Sequence, residues 1–472
     1  MESLPNSTET TPPGAGGKLP LRSKLAYGVG GFAEHFTNNV PAIMASPILN
    51  VTLGVSPVLI GIALGVPGIL NAFVDPVVGV LSDRTRSRFG RRKPYMIVGG
   101  LLSAILAAAL WLIPQGWSEM NVFLFFCIGL VALYSVYPVF AIPYAALGYE
   151  MTPDYGERTN LQAFRAVFGF LSSFLISWML WVTQWDIFSS TVEGMQWVMF
   201  ASVPVLMACA LAPVIFCKET HIRTATQKVR LPLKTTLAAP FQCPPFLLVS
   251  GARLSVICGI MLVMQLGIYI NIYYVFDGSI KEASLVGGTV NTVFQVLSIA
   301  LIPVIAWFAN RLGKRQVLLA LLLPAAMASA AKWFCYRPDM PYLQLLPVII
   351  FAPGLSAIWS LTYSMTADVC DYDEFRHGER REGTFAAIIG WGDKLAISIS
   401  LLLAGFLLSA TGFDAKIEGP QSASTIVYLR LLDSTVTATG ILLACGLLAF
   451  YPLSKTKMAR IRRILEHRRG RG

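Results

Sequence analysis

Twelve apolar stretches, each about the 20 residues a helix needs to cross a bilayer, take up most of this chain. They fall near 25–49, 56–82, 94–114, 121–149, 161–184, 196–217, 245–276, 284–309, 315–335, 341–367, 383–411 and 425–452. In hydrocarbon each backbone polar group must be satisfied within its own segment, so such stretches fold as helices. The expected class is an all-α membrane protein with twelve transmembrane helices. Composition agrees, since 55% of the 472 residues are hydrophobic and 13% charged, against about a quarter charged in soluble domains. The polar stretch 218–244 divides the segments six and six. The organisation expected is a flexible cytoplasmic tail at 1–24, a six-helix bundle at 25–217, a central cytoplasmic loop at 218–244, a second bundle at 245–452 and a basic tail at 453–472. Two pseudo-symmetric halves of this kind can rock about a site near the midplane.

The net charge of +11 is concentrated in the two tails, the central loop and every second connection. The positive-inside rule then places both termini in the cytoplasm, in a multi-pass protein of the cell membrane whose lipid bilayer is its first partner. The charge is a topology signal and calls for no nucleic acid. The tail KTKMARIRRILEHRRG is basic and amphipathic, suited to anionic lipid headgroups. The four histidines lack metal-ligand spacing, the cysteines form no C-x-x-C pair, and neither a nucleophile elbow nor a phosphate loop occurs. Neither enzyme activity, a metal site nor a cofactor beyond a coupling ion is expected.

An ionisable group inside a membrane helix costs at least about 2.5–3.5 kcal/mol, so each one is a functional-site hypothesis. Asp75 precedes Pro76, which frees a backbone carbonyl near Asn71, and the three oxygens could hold a proton or a small hard cation. A salt bridge from Asp75 to Lys394 across the halves is the structural alternative, compatible with the first. Arg165 is a cavity donor for hydroxyl-rich or anionic ligands or a partner for a helix carbonyl. Glu34 and His35 interrupt the first segment, and His35 suits core packing or ligand binding. Arg253 lies where it could snorkel, while Arg430 and Asp433, at i and i+3, could satisfy each other. Tyr137 and Trp359 offer stacking platforms for a pyranose or ordinary packing.

The loop after the second segment reads SDRTRSRFGRRK and that after the eighth ANRLGKR, equivalent places in the two halves. Here the chain resembles the major facilitator superfamily, whose acidic-basic-glycine motif recurs at both. Asp83, Arg84 and Arg88, with Asp368, Asp371, Arg380 and Arg381 of ADVCDYDEFRHGERREGTF, are the expected cytoplasmic gate. That segment together with DPVVGVLSDRTRSRFGRRKP is similar to the glycoside–pentoside–hexuronide:cation symporters, typified by the bacterial melibiose permease. The resemblance implies a cation-coupled sugar symporter, with Asp75, Asn71 and Lys394 on the cation-coupling positions and His35, Tyr137, Arg165, Trp359 and Lys394 on the substrate-binding positions. A second helix-two carboxylate is Asn71 here, which favours H⁺ over Na⁺. The galactoside-anchoring aspartates correspond to His35 and Ala141, and a stacking tryptophan to Ala145, which implies a substrate other than an α-galactoside, with an acidic or modified glycoside preferred. A monomer is expected to suffice. The rival readings are a lysolipid transporter of the same fold and a sugar sensor without turnover.

Overall fold

The computed structural model describes residues 19–85, 87, 89–114, 116–152, 155–218, 239–378, 381–414 and 421–469. The apolar stretches fold as long helices: α1 Leu21–Ala45, α2 Pro57–Arg84, α3 Lys93–Ala109, α4 Glu119–Glu150, α5 Tyr155–Val182, α6 Thr191–Phe216, α7 Pro244–Met261, α8 Ile280–Leu312, α9 Lys314–Cys335, α10 Leu345–His377, α11 Glu382–Ala410 and α12 Ala423–Ala449. A final helix, α13, spans Lys455–Arg469. Wide π turns extend α1 over Ser46–Thr52 and follow α7 at Asn271–Val275. Helix starts are written locally. Ser190 and Ser279 each precede a glutamate by three residues, and their hydroxyls accept from the backbone N–H of Glu193 and Glu282.

Ten helices among the described residues are long and apolar enough to cross a membrane, rather than twelve. The seventeen residues of α3 form a shorter apolar helix, and α1 is interrupted by the polar Glu34, His35, Asn38 and Asn39. Large apolar side chains face outward, among them Ile215 on α6 and Met327 and Phe334 on α9, as expected where the surroundings are lipid rather than water.

Packing repeats with a shift of six helices. The pairs α1·α5, α1·α6, α2·α4, α3·α4 and α3·α6 have their counterparts in α7·α11, α7·α12, α8·α10, α9·α10 and α9·α12. One buried cluster is built almost wholly from α1–α6 and another from α7–α13. The two sets meet along α2·α11 and α5·α8, both antiparallel and both closest at the end away from the chain termini. There α2 and α11 touch through glycines: a Cβ on Gly405 would lie 2.2 Å from Pro57 O, and one on Gly61 2.6 Å from Leu402 O. Trp178 Nε1 donates to Thr292 Oγ1 at 3.0 Å across α5 and α8.

The basic tail is not free. Met458, Ile461 and Leu465 of α13 are buried in the second cluster, so its apolar face meets protein where the sequence suggested lipid.

Candidate functional site

Polar residues of the first segment recur at helical spacing, so Glu34, His35, Asn38 and Asn39 come out on one face of α1. With Tyr137 of α4 and Gln162, Arg165 and Ser173 of α5 they line a cavity of about 420 Å³. Arg165 grips Glu34 through both oxygens, Nε to Oε2 at 2.9 Å and Nη2 to Oε1 at 2.5 Å. Its partner is thus a carboxylate and not a helix carbonyl. Gly31 makes the approach possible, because a Cβ there would lie 2.8 Å from Arg165 O. His35 lies 3.4 Å from the Ser173 hydroxyl, and Tyr137 is buried at the cavity wall. Glu34 is the site residue that sequence reasoning left unassigned; the polar stripe it shares with Asn38 and Asn39 was the available signal.

Between the halves, Lys394 of α11 forms an ion pair with Asp75 Oδ2 of α2 and donates to Asn71 Oδ1 at 3.3 Å. The other oxygen, Asp75 Oδ1, is buried and accepts no hydrogen bond. A buried carboxylate oxygen left without a partner is costly. Lys394 is about two-fifths exposed, so the pair remains reachable.

Asp393, one residue earlier, points elsewhere. Arg253 of α7, 2% exposed, holds it at 2.9–3.0 Å, donates to Thr362 Oγ1 at 2.9 Å and to Tyr363 OH at 3.2 Å. The rings of Trp359 and Tyr363 cover its guanidinium, each 4.3 Å from centroid to Cζ. Arg253 therefore does not snorkel, and Trp359 stacks on a side chain of the protein. Arg430 and Asp433 also diverge: Arg430 donates to Trp333 O at 2.6 Å and stacks on Tyr274 and Trp333, whereas Asp433 accepts from Tyr336 OH at 3.0 Å and pairs with Lys332.

At the end carrying the termini, Arg88, Arg380 and the Asp83 side chain lie outside the described residues, and Arg84 is exposed at the end of α2. The glycine of each loop motif takes a positive φ, 99° at Gly90 and 104° at Gly313, where glycine is free of Cβ strain. The basic residues that follow clamp the acidic end of a helix in their own half. Arg91 and Arg92 hold Glu150 of α4, and Lys314 holds Asp368 of α10 at 2.7 Å. Arg462 of α13 adds contacts to Asp368 at 2.6 Å and Asp371 at 3.1 Å, and Arg381 pairs with Asp373 at 3.0 Å. These contacts brace single halves, and a tie through Asp83 or Arg88 falls on side chains outside the described residues.

This arrangement, repeated halves with a half-buried ion pair at their meeting, is that of a membrane transporter. The solved D-xylose-proton symporter shares the fold, with TM-score 0.64 at 16% identity over 92% of this chain and 98% of that one. The family model described as MFS/sugar transport protein matches residues 26–455, and the chain belongs to that family, within its glycoside–pentoside–hexuronide:cation branch. An uncharacterised symporter of Synechocystis is 26% identical, over 96% of this chain and 97% of its own length. The isoprimeverose transporter of Lactiplantibacillus pentosus is 24% identical over 93% and 90%. The protein is a multi-pass protein of the cell membrane.

Proposed function

We propose that this protein is a cation-coupled symporter of a glycoside that works by alternating access. In this reading twelve spans form two halves, 25–217 and 245–452, with both termini in the cytoplasm, α1 and α3 completing the ten more apolar helices. The tail 1–24, the loop 218–244 and the segment 453–472 would then share that side, as the positive-inside pattern requires. One chain supplies every group named, so a monomer suffices.

The observation that carries the proposal is the Asp75–Lys394 pair, which joins α2 of one half to α11 of the other and leaves Asp75 Oδ1 buried and unpartnered. A cation arriving at Asp75 competes with Lys394, so occupancy and the position of the halves are linked. A single carboxylate beside the Asn71 amide suits a proton better than Na⁺, which wants several oxygen ligands. Arg165 and Glu34 present donors and acceptors together in the cavity, a pattern that fits vicinal sugar hydroxyls. Because Arg165 and Lys394 already hold carboxylates, the neutral glycoside replaces the acidic one as the preferred substrate. A relative named for isoprimeverose transport supports a sugar.

Counterflow of a labelled saccharide panel, uronides included, into liposomes holding the purified protein tests this. Asp75→Asn should keep exchange and lose proton-driven accumulation. Wild-type accumulation by Asp75→Asn, or uptake driven by a Na⁺ gradient alone, would refute the assignment.

A further inference from the structure

A second cavity, of about 510 Å³, adjoins the first. Phe170 and Ser173 of α5 belong to the walls of both, and along α1 the lining passes from Gly31–Asn39 in one to Ile43–Pro47 in the other. The two are successive stretches of one passage beside α1 and α5. The second lies toward the end away from the termini and reaches across to α7, α8 and α10 of the other half.

Their walls differ in chemistry. The first is dominated by Glu34, Arg165 and amides, the second by Met44, Ile176, Met264, Phe294 and Phe351. Polar side chains line the second as well, but most are already taken: Asn271 bonds Gln344, Asp433 pairs with Lys332 and accepts from Tyr336, and Gln295 donates to Ser177 Oγ. A second sugar ring there would bury hydroxyls with too few partners, at a cost in affinity for each. An apolar group would gain contact area, and methionine adapts to its shape. A mostly apolar pocket with a few fixed polar groups is the usual form of a small-molecule site.

We propose that the substrate is a glycoside with an apolar aryl or short alkyl aglycone, its sugar held by Glu34 and Arg165 and its aglycone in the second cavity. The inference rests on the glycoside reading above and narrows it. Phe170 and Ser173 form the waist through which the glycosidic bond passes.

Gly287 supplies the test. It lines the second cavity, and a Cβ there would meet nothing within 4 Å, so Gly287→Leu fills space without displacing backbone. Methyl, ethyl, propyl, butyl and phenyl glycosides of the sugar found by counterflow would compete against its labelled form, in wild type and in Gly287→Leu. Apparent affinity should rise roughly three- to fourfold per methylene, and the phenyl-over-methyl advantage should shrink at least about tenfold in the variant. If methyl glycosides exchange and phenyl glycosides gain nothing, the aglycone inference fails while the glycoside reading stands. An equal advantage in both proteins overturns the placement in this cavity. If no glycoside exchanges through monodisperse, reconstituted protein, both readings fall.

Discussion

Replacing Arg253 by Gln removes a guanidinium that is 2% exposed and makes three contacts of 2.9–3.0 Å to Asp393, besides those to Thr362 and Tyr363. The variant leaves Asp393, itself 12% exposed in its side chain, without its cation. Breaking a buried pair from one side costs about 3–5 kcal/mol, whereas replacing both members with apolar groups is often neutral. Unfolding equilibria in mixed micelles should therefore show Arg253→Gln down by about 3 kcal/mol or more, and Arg253→Met combined with Asp393→Leu within about 1 kcal/mol of wild type. Because Asp393 points away from the Asp75–Lys394 pair, sugar exchange corrected for the amount of folded protein should stay near the wild-type level in the single variant. A single variant within about 1 kcal/mol of wild type would mean that the guanidinium reaches water, and the reasoning would be wrong.

Gly405→Ala would place a Cβ 2.2 Å from Pro57 O and 3.0 Å from Gly61 Cα, backbone atoms with no room to yield. Overpacking of this kind costs about 1–3 kcal/mol, so α2 and α11 should part at the end away from the termini. An impermeant maleimide should then label a cysteine placed at Ile43 from that face at least about fivefold faster, and an unchanged rate over the native-cysteine background counts against the seam. At the opposite end, the Lys24 ammonium and the Leu19 N–H hold the Glu157 carboxyl below the usual carboxylate range. A lowered native value means that this staple on α1 is fully present above the ordinary glutamate pKa of about 4.3 and is lost as pH falls through the lower native value. Amide exchange over residues 19–24, corrected for intrinsic rates, should show protection lost in that acidic range, and Lys24→Met should weaken the dependence, leaving the part carried by the Leu19 N–H.

Much of this was legible because hydrocarbon makes charge rare. Asp75 and Lys394 stood out as carboxylate and ammonium in apolar runs, and their pairing across the halves was one of the readings open from the sequence. The glycine loops were legible for a similar reason, since a repeated Gly followed by basic residues needs a repeated turn. What the sequence hid was the choice among partners. Arg430 and Asp433 share a helical face by spacing, yet the end of α9 offers each something better, a carbonyl between two rings for one and Tyr336 with Lys332 for the other. Arg253 found Asp393 through a crossing of α7 and α11 that no local pattern encodes. Glu34 was visible as a charge but took its meaning only when α5 brought Arg165 to it. The tail looked like a membrane-surface helix because its amphipathic pattern is the same whether lipid or α10 lies beneath.

Hydrogen bonds in and beside the two π turns join the halves at one end. Tyr269, just before the turn after α7, donates to Asn50 within the turn of α1 at 2.8 Å, and Gln265 donates to Ala42 O at 3.1 Å. Asn50 thus lies within one wide turn and Tyr269 two residues before the other, whereas Ala42 and Gln265 lie outside both. Parting there need not break a regular helix. In the alternating-access reading, a change of pitch in two short segments, one per half, would let the contacts beside them part.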